Sequence, residues 1–422
     1  MEKSISKVMN KIVLQNITID GSLVQYKFLV NQEMKRFFNT ETMFLRYEHN
    51  MTDVPLSILS VPFVNCMAGL SWLTGAMLFV DEIDETYYHA FKQLKVAYSE
   101  LHDTSLRGML VPSIIRKNEI PKNDQYLLLF GGGVDCHSSY LRNRDRVSAV
   151  INIYGWAKNM NDSSEIDESD RKSTQSFADR FGINSFHVST NFASQFNHKE
   201  IDNVLCRKLR TSYWYGFLHS MAFLAVSAPI AWLNKCSNLM IASSFTKDRA
   251  DVHCGSFITT DSEFKFALNG QTLHDGFELN RQEKVKYLVE YQKQLGAPYP
   301  IQACSFNDRN CCTCEKCFRT IVELVAECAD PSDFGFNHNG SVTEHWKGVI
   351  KRDVALWGIS KESYYYYYSK KRMLENYENI EDKEFVDWFL GFDFDKAKRQ
   401  GLIRYYRQNF FSILKRKLHL GK

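Results

Sequence analysis

The feature that most constrains the fold of this chain is an alternation of short apolar segments with helical patterns between about residues 121 and 330. Apolar segments that we predict as strands lie at 126–130, 148–154, 186–189 and 239–243, with helical patterns at 173–181 and 213–233. Such alternation predicts a parallel sheet with helices on both faces. In sheets of this kind, ligands bind beyond the carboxyl ends of the strands.

The regions on either side of this alternating region have different patterns. In residues 1–120, two alternating apolar runs flank Asp20-Gly21, which predicts a β-hairpin. A helix is expected near 87–101, and residues 331–422 have mainly helical patterns. We therefore predict an N-terminal α+β region (1–120), a central α/β domain (121–330) and a helical C-terminal region (331–422).

Residues 54–80 carry no charge and are numerous enough to span a bilayer. The run contains several helix breakers: Pro55, Pro62, Asn65, Gly69 and Gly75. We therefore interpret it as a buried core segment of short strands and a helix. The first 15 residues lack the apolar region and cleavage site of a signal peptide. Eleven cysteines, an odd number, favour a reducing compartment, and we expect a cytoplasmic protein.

Three consecutive glycines, Gly131, Gly132 and Gly133, separate the first central strand from a predicted helix. Glycine permits positive φ and a close approach of ligand to backbone. The helix start behind it offers free amides and a positive dipole end, so the segment predicts an anion cradle. Asp135 would suit Mg²⁺ that arrives with a nucleotide phosphate. No Gly-Lys-Ser/Thr follows, so this is not a Walker A loop. The alternative is a tight turn that binds nothing.

Five cysteines between residues 304 and 317 indicate a metal site. The four that we expect to bind Zn²⁺ are Cys304, Cys311, Cys314 and Cys317. Cys312 is then a spare cysteine, because adjacent residues rarely bind one ion without strain. Four thiolates leave no open coordination position, which favours a structural role. A redox dithiol, an iron–sulfur cluster and plain core cysteines are the alternatives, and the charged neighbours Asp308 and Arg309 argue against the last.

The glycine segment resembles the PP-loop of ATP pyrophosphatases, whose pattern is Ser-Gly-Gly-x-Asp-Ser. Gly132, Gly133 and Asp135 match this pattern, whereas Gly131 and Cys136 replace its two serines. Together with the later Cys-x6-Cys-x2-Cys-x2-Cys-x-Arg spacing, it is similar to the 7-cyano-7-deazaguanine synthase branch of that superfamily. The segments IASSF (241–245), LHDGFELNRQEKV (273–285) and NCCTCEKCFRT (310–320) resemble relatives of this branch encoded among bacterial surface-polysaccharide genes.

This resemblance implies an α/β fold with a parallel-sheet PP-loop core of the adenine nucleotide alpha hydrolase-like type. It implies ATP and Mg²⁺ as cofactors and transfer of AMP to a carboxylate or carbonyl oxygen of a small metabolite or sugar derivative. A nitrogen nucleophile would then displace AMP. The residues expected to bind the nucleotide are Gly131, Gly132, Gly133, Val134, Asp135, Cys136, Ser138 and Ser139. The candidate catalytic residues are Asp135, Lys247, Arg281 and Lys284.

Further polar residues are candidates for a substrate pocket: Ser243, Ser244, Arg249, His253, Ser256, His274 and Asp275. Each candidate has a plainer interpretation. Arg281, Glu283 and Lys284 could equally form a solvated helix face, and His274 could be a turn residue before Asp275. Residues 1–120 and 331–422 are extra to the cyano-deazaguanine enzyme, which indicates a different substrate.

Two other functions remain open at this point. A sulfur-inserting enzyme could use Cys136 or Cys312 as a sulfur carrier, and a zinc-stabilised nucleotide-binding protein could have lost catalysis with the loop serines. Nucleic acid is not an expected partner, because residues 1–395 carry 43 Lys and Arg against 49 Asp and Glu, a net charge of about −6.

The C-terminal tail has the opposite charge. Residues 396–422 contain nine Lys or Arg and no Asp or Glu. Apolar residues recur there at helical spacing: Leu402, Tyr405, Tyr406, Phe410, Ile413, Leu414 and Leu418. This pattern suits an anionic membrane surface or a partner protein. The plainer alternative is a terminal helix docked on the acidic body.

Overall fold

Ten strands form one continuous sheet in the computed structural model. The structure describes residues 9–156, 165–249, 252–304, 310–338, 340–353 and 364–419, in two compact units, Met1–Leu279 and Asn280–Lys422. The strands are β1 (Lys11–Asp20), β2 (Leu23–Val30), β3 (Thr42–Tyr47), β4 (Met77–Asp84), β5 (Met109–Arg116), β6 (Tyr126–Leu129), β7 (Val147–Tyr154), β8 (Asn184–Thr190), β9 (Asn238–Ala242) and β10 (Gln271–Asp275). Their order in the sheet is β10-β9-β6-β7-β8-β3-β2-β1-β4-β5.

Seven α-helices belong to the described part of this first unit. They are α1 (Leu56–Thr74), α2 (Glu85–Leu101), α3 (Val134–Asn143), α4 (Glu165–Phe181), α5 (His198–Ile201), α6 (His219–Leu233) and α7 (Ile258–Asp261). A π-helical segment, Trp214–Leu218, leads into α6. The α/β class predicted from the sequence is therefore confirmed.

One half of the sheet, β10-β9-β6-β7-β8, is entirely parallel, as predicted. Successive strand residues point to opposite faces. Leu128, Val150 and Met240 pack with Tyr140 of α3 and Phe177 of α4 on one face. On the other face, Leu127, Ala149, Ile151, Leu239 and Ile241 belong to a core that includes the buried side of α6. Helices thus cover both faces of this half.

The other half begins with the predicted hairpin, which is confirmed. β1 pairs antiparallel with β2 across Asp20 and Gly21, and Gly21 has a φ of 56°, which favours glycine. β3 pairs antiparallel with both β2 and β8. Strands that precede residue 120 and strands that follow it therefore belong to the same sheet. The boundary between the two compact units lies after Leu279. The sequence-based boundaries near residues 120 and 330 remain predictions.

The uncharged run 54–80 differs from its expected form. It holds one helix of 19 residues, α1, which continues through Pro62 and Gly69 and ends at Gly75 with a φ of 71°. The expectation of several short strands was wrong: β4 starts only at Met77. Gly69 is a packing site, because an added Cβ there would lie 2.9 Å from the Cβ of Phe217. Close packing explains this glycine better than helix termination.

Two helical segments, Leu56–Thr74 and Trp214–Leu233, are long and apolar enough to cross a membrane by length and composition. Their most apolar windows are 89% and 78% buried inside the protein. Both therefore fit core helices, as the sequence interpretation of residues 54–80 expected.

The described part of the second unit is helical. Its α-helices are α8 (Arg281–Leu295), α9 (Glu315–Ala326), α10 (Val342–Asp353), α11 (Tyr364–Glu375), α12 (Lys383–Gly391) and α13 (Phe394–His419). The helical pattern predicted for residues 331–422 is thus confirmed where the structure describes it. Five consecutive tyrosines occupy positions 364–368. Among them, Tyr366 is buried against Phe318 and Phe389, whereas Tyr367 is exposed.

Candidate functional sites

The three glycines lie where the chain order of the parallel strands reverses. From β6 the chain proceeds through α3 to β7 on one side, and it later returns to β9 on the other side of β6. A doubly wound sheet opens a crevice beyond the carboxyl ends of its strands at such a switch point. β6 ends at Leu129 and α3 starts at Val134, so residues 131–133 line this crevice. We refer to residues 131–133 as the glycine loop.

The backbone of the glycine loop surrounds the sulfur of Cys136. Gly132 has a φ of 74°, in the left-handed region, and Gly133 is the N-cap residue of α3. The Cys136 thiol donates to the carbonyl of Gly133 over 3.1 Å. Burial raises the pKa of this thiol to about 12, against backbone hydrogen bonds from Gly131, Gly132 and Gly133 that favour the thiolate. The loop therefore leads into the N-terminus of α3, and a neutral thiol lies against its backbone.

Two side chains in the first turns of α3, those of His137 and Ser138, are buried in the protein. His137 is buried against the rings of Phe130 and Phe177, at centroid distances of 4.9 and 5.0 Å. Burial lowers the pKa of His137 to about 3, against a hydrogen bond to the backbone of Gly132 that favours the charged form. The Ser138 hydroxyl is buried and has no hydrogen-bond partner among the described residues.

Asp275, the last residue of β10, connects to α3 through three side chains. Its carboxylate accepts hydrogen bonds from Ser139 at 2.7 Å, from Arg142 at 3.2 Å and from Asn143 at 3.2 Å. Arg142 also pairs with Glu278. These three residues lie on one face of the helix, at the i, i+3 and i+4 positions. The Ser139 hydroxyl is therefore bound to a carboxylate, whereas the buried Ser138 hydroxyl has no partner among the described residues.

The segment after β9 lies at the same edge of the sheet, because β9 pairs in parallel with β6. Ser243 is buried: its amide donates to the carbonyl of Asp275 at 2.8 Å and its hydroxyl to that of Phe245 at 2.6 Å. Lys247 has an exposed side chain, while its amide donates to the carbonyl of Phe277 at 3.1 Å. Backbone hydrogen bonds thus fix the base of a lysine at the crevice edge.

His274 is not a turn residue. It lies within β10 with its side chain buried, and its Nδ1 is 2.8 Å from the Asp261 carboxylate, which also accepts from the Ser256 hydroxyl at 2.8 Å. Nε2 of His274 is buried without a partner among the described residues. Two of the polar pocket candidates, Ser256 and His274, are thus linked through the carboxylate of Asp261.

An aromatic cavity of about 460 Å³ lies beyond the carboxyl ends of β7 and β8, and it was missed from the sequence. Its lining residues are Asn39, Trp156, Ala193, Ser194, Phe196, His198, Asp202 and Trp214. The indoles of Trp156 and Trp214 stack at 4.5 Å. Nδ1 of His198 is buried without a partner in the described part of the chain. A tryptophan two residues after a predicted strand, in Tyr154-Gly155-Trp156, was the only available signal.

The remaining two catalytic candidates belong to the second unit. Arg281, at the start of α8, contacts the buried Glu323 carboxylate through Nε at 3.0 Å and the Thr320 hydroxyl at 3.2 Å. Lys284 is buried, with 3% of its surface exposed. A solvated helix face, the plainer interpretation, fits Glu283 but not these two residues. Asp135 and Lys247 lie in the first unit.

The second unit also brings the four predicted metal ligands together. The Sγ atoms of Cys304, Cys311, Cys314 and Cys317 all lie within 4.8 Å of one another. The pairs Cys304–Cys314 and Cys311–Cys317 are 4.0 and 3.9 Å apart. A tetrahedral ion with metal–sulfur bonds of about 2.3 Å requires sulfur separations of about 3.8 Å. This cysteine cluster can therefore hold a metal ion such as zinc.

Neighbouring polar groups hold the cysteine cluster in shape. The Asn310 side chain accepts from the amides of Ala303 and Cys304 and donates to the carbonyls of Ile301 and Gly335. It thereby ties the segment of the first ligand to that of the other three. Cys312 has a φ of 53° and is not part of the group, as expected for the spare cysteine. Asp308 and Arg309 lie outside the described residues.

Fold and sites together define a doubly wound α/β protein with a glycine loop at the switch point and a separate four-cysteine cluster. Comparison with protein-family models, with curated proteins and with solved structures finds no match for this chain.

Proposed function

We propose that this chain is an AMP-forming enzyme of the PP-loop type, in which residues 131–136 bind the phosphates of Mg²⁺·ATP. The observation that carries the proposal is the direction of the loop backbone. Gly132 has a φ of 74°, Gly133 is the N-cap residue of α3, and the Cys136 sulfur lies 3.1 Å from the Gly133 carbonyl, so the loop runs directly into the N-terminus of the helix. Free backbone amides at a helix N-terminus favour a phosphate oxygen, and the helix dipole has the same sign.

The reaction would proceed in two displacements. An oxygen of a substrate carboxylate attacks the α-phosphorus of ATP, the bond from that phosphorus to the bridging oxygen breaks, and pyrophosphate leaves. A nitrogen nucleophile then attacks the activated carbon and AMP departs with its oxygen. Such chemistry depends on positioning and charge neutralisation more than on acid–base groups.

Two of the candidate catalytic residues, Asp135 and Lys247, have a role in this scheme. Asp135, in the first turn of α3, would hold Mg²⁺ against the phosphates. Lys247, exposed at the crevice edge, would neutralise charge on the leaving pyrophosphate. Arg281 and Lys284 stay candidates for the substrate. The ion pair of Arg281 with Glu323 favours a structural part for Arg281.

The aromatic cavity supports a nucleotide as the ligand. β7 separates β6 from β8, so the cavity and the glycine loop share one edge of the sheet. Stacked indoles offer a flat apolar surface for a planar base, and His198 adds an unsatisfied ring nitrogen. The adenine ring is the planar group that ATP would bring.

We also propose that the cysteine cluster binds zinc in a structural role. Four thiolates at tetrahedral spacing leave no coordination position open for a substrate or water. None of the eleven cysteines forms a disulfide, which suits the reducing cytoplasm.

The contacts weaken one alternative. A sulfur carrier has to react as a thiolate, yet burial raises the pKa of Cys136 to about 12, and Cys312 is also buried. A nucleotide-binding protein without catalysis differs from the proposed enzyme only in turnover.

The decisive assay measures AMP and pyrophosphate released from Mg²⁺·ATP by the purified full chain with a panel of small carboxylates and ammonia. We expect release with at least one carboxylate, loss of it in Asp135→Ala, and unchanged zinc content in that variant. ATP binding without AMP formation would favour the inactive protein. Full turnover by Asp135→Ala would make the glycine loop a simple turn.

A further inference from the structure

From residue 396 onwards, the charged residues of the last helix, α13, are all Lys or Arg, and the helix also exposes apolar side chains. Residues 396–422 contain nine Lys or Arg and no Asp or Glu. The helix is anchored at its start, where Phe394 is buried against Tyr366 at 5.3 Å and Phe389 at 5.7 Å. No residue from 402 to 410 is buried.

The exposed apolar residues of this stretch are large. Ile403, Tyr405, Tyr406 and Phe410 are 54%, 42%, 57% and 57% exposed. A terminal helix docked through this stretch would bury them. The docked-helix interpretation therefore does not fit residues 402–410. We call residues 402–410 the basic helix segment.

The basic helix segment has two different sides. At 3.6 residues per turn, Leu402, Ile403, Tyr406 and Phe410 fall on one half of the helix, with Tyr405 at its margin. Arg404 and Gln408 fall on the other half, Arg407 lies at the opposite margin next to Ile403, and Asn409 lies within the apolar half. Tyrosine suits a boundary between apolar and polar phases, because its ring is apolar and its hydroxyl is polar.

We propose that the basic helix segment binds an anionic lipid surface. The apolar half would enter the interface, while Arg404 and Arg407 contact the headgroups. A second copy of the chain is a poorer occupant, because two such tails would bring nine cations against nine without a carboxylate between them. An anionic bilayer supplies the missing negative charge over the whole length of the tail.

Co-sedimentation with vesicles of phosphatidylcholine and phosphatidylserine (about 7:3) tests the proposal on the full chain at low salt. We expect binding to these vesicles, little to pure phosphatidylcholine, and release as salt is raised. A basic residue near such a surface contributes about fivefold in affinity, so Arg404→Gln/Arg407→Gln should bind roughly 25-fold more weakly. Tyr406→Ser/Phe410→Ser should also weaken binding, because it removes exposed apolar area from the segment.

Arg207→Gln/Lys208→Gln is the matched control, since it removes two exposed cations from the first unit and should bind like the parent. All four positions of the test variants are exposed, so circular dichroism and zinc content should not change. Three outcomes would overturn the proposal: no sedimentation of the parent at low salt, equal binding to neutral vesicles, or equal loss in the control. A dimer abolished by Tyr406→Ser/Phe410→Ser, without vesicle binding, would assign the segment to a second copy instead.

Discussion

The carboxylate of Asp275, at the end of β10, accepts a 2.7 Å hydrogen bond from the hydroxyl of Ser139, in the helix that follows the glycine loop. Arg142 and Asn143 donate to the same carboxylate. These hydrogen bonds connect α3, whose N-terminus faces the proposed phosphate site, to β10. In the sheet, β10 is separated by β9 from β6, the strand that precedes α3. The orientation of its free amides depends on this connection.

Asp275→Ala should lower the free energy of unfolding by about 3 kcal/mol, because it removes the acceptor of the Ser139 hydroxyl and one acceptor each of Arg142 and Asn143. Ser139→Ala should cost about 1 kcal/mol, since the carboxylate keeps its other donors. Urea denaturation measures both values. Asp124→Ala, at an exposed position, is the control and should change stability by less than about 0.5 kcal/mol. Equal effects at residues 124 and 275 would contradict the structural role of Asp275.

His137 predicts a pH dependence of stability. Burial lowers its pKa to about 3 in the folded protein, so an unfolded chain binds a proton there that the folded chain does not. The contribution is complete above the ordinary histidine pKa, about 6.5, and declines as pH falls from there towards 3. Between pH 7 and pH 5 this residue alone should cost about 2 kcal/mol.

His137→Phe keeps a ring against Phe130 and Phe177 and should reduce the loss of stability between pH 7 and pH 5 by about 2 kcal/mol. His89→Gln alters an exposed ring and should keep the slope of the parent. Denaturation curves at both pH values supply the comparison. If His137→Phe and the parent have equal slopes, His137 is not held neutral by burial.

The cysteine cluster predicts one zinc ion per chain. Cys314→Ser should lose most of the metal and destabilise the second unit, because binding free energy at such a site is also folding free energy. Cys312→Ser is the matched control, since that residue adjoins a ligand but is not in the group, and it should retain the metal. Elemental analysis by mass spectrometry measures both. Iron, no metal, or equal loss in the two variants would contradict the assignment.

The sequence predicted four of the five strands in the parallel half of the sheet, β6, β7, β8 and β9, because each is an apolar run among helical patterns. It did not predict β3, β5 or β10, which join the sheet through pairings with residues far away in the chain. The prolines and glycines of residues 54–80 also led to a wrong prediction, that of several short strands instead of one long helix. Burial of α1 outweighs the hydrogen bond that Pro62 removes, and Gly69 serves close packing instead of ending the helix.

Sites were predictable where the ligands are close in sequence. The cysteine cluster is the best case, since Cys311, Cys314 and Cys317 share one short segment. The aromatic cavity joins residues from 39 to 214, and the Asp261–His274 pair connects a helix to a strand. A local sequence pattern cannot predict that these residues are close in space, because only the tertiary fold brings them together.

The most direct test of the central claim is isothermal titration of the full chain with Mg²⁺ and α,β-methylene-ATP, which cannot release pyrophosphate. We predict one binding site. Gly131→Ala should bind like the parent, because an added Cβ there meets no atom within 4 Å. Gly132→Val should bind at least about tenfold more weakly, because its φ of 74° in the cradle disfavours a β-branched side chain. No binding by the parent, or equal binding by a folded Gly132→Val, would contradict a nucleotide site at the glycine loop.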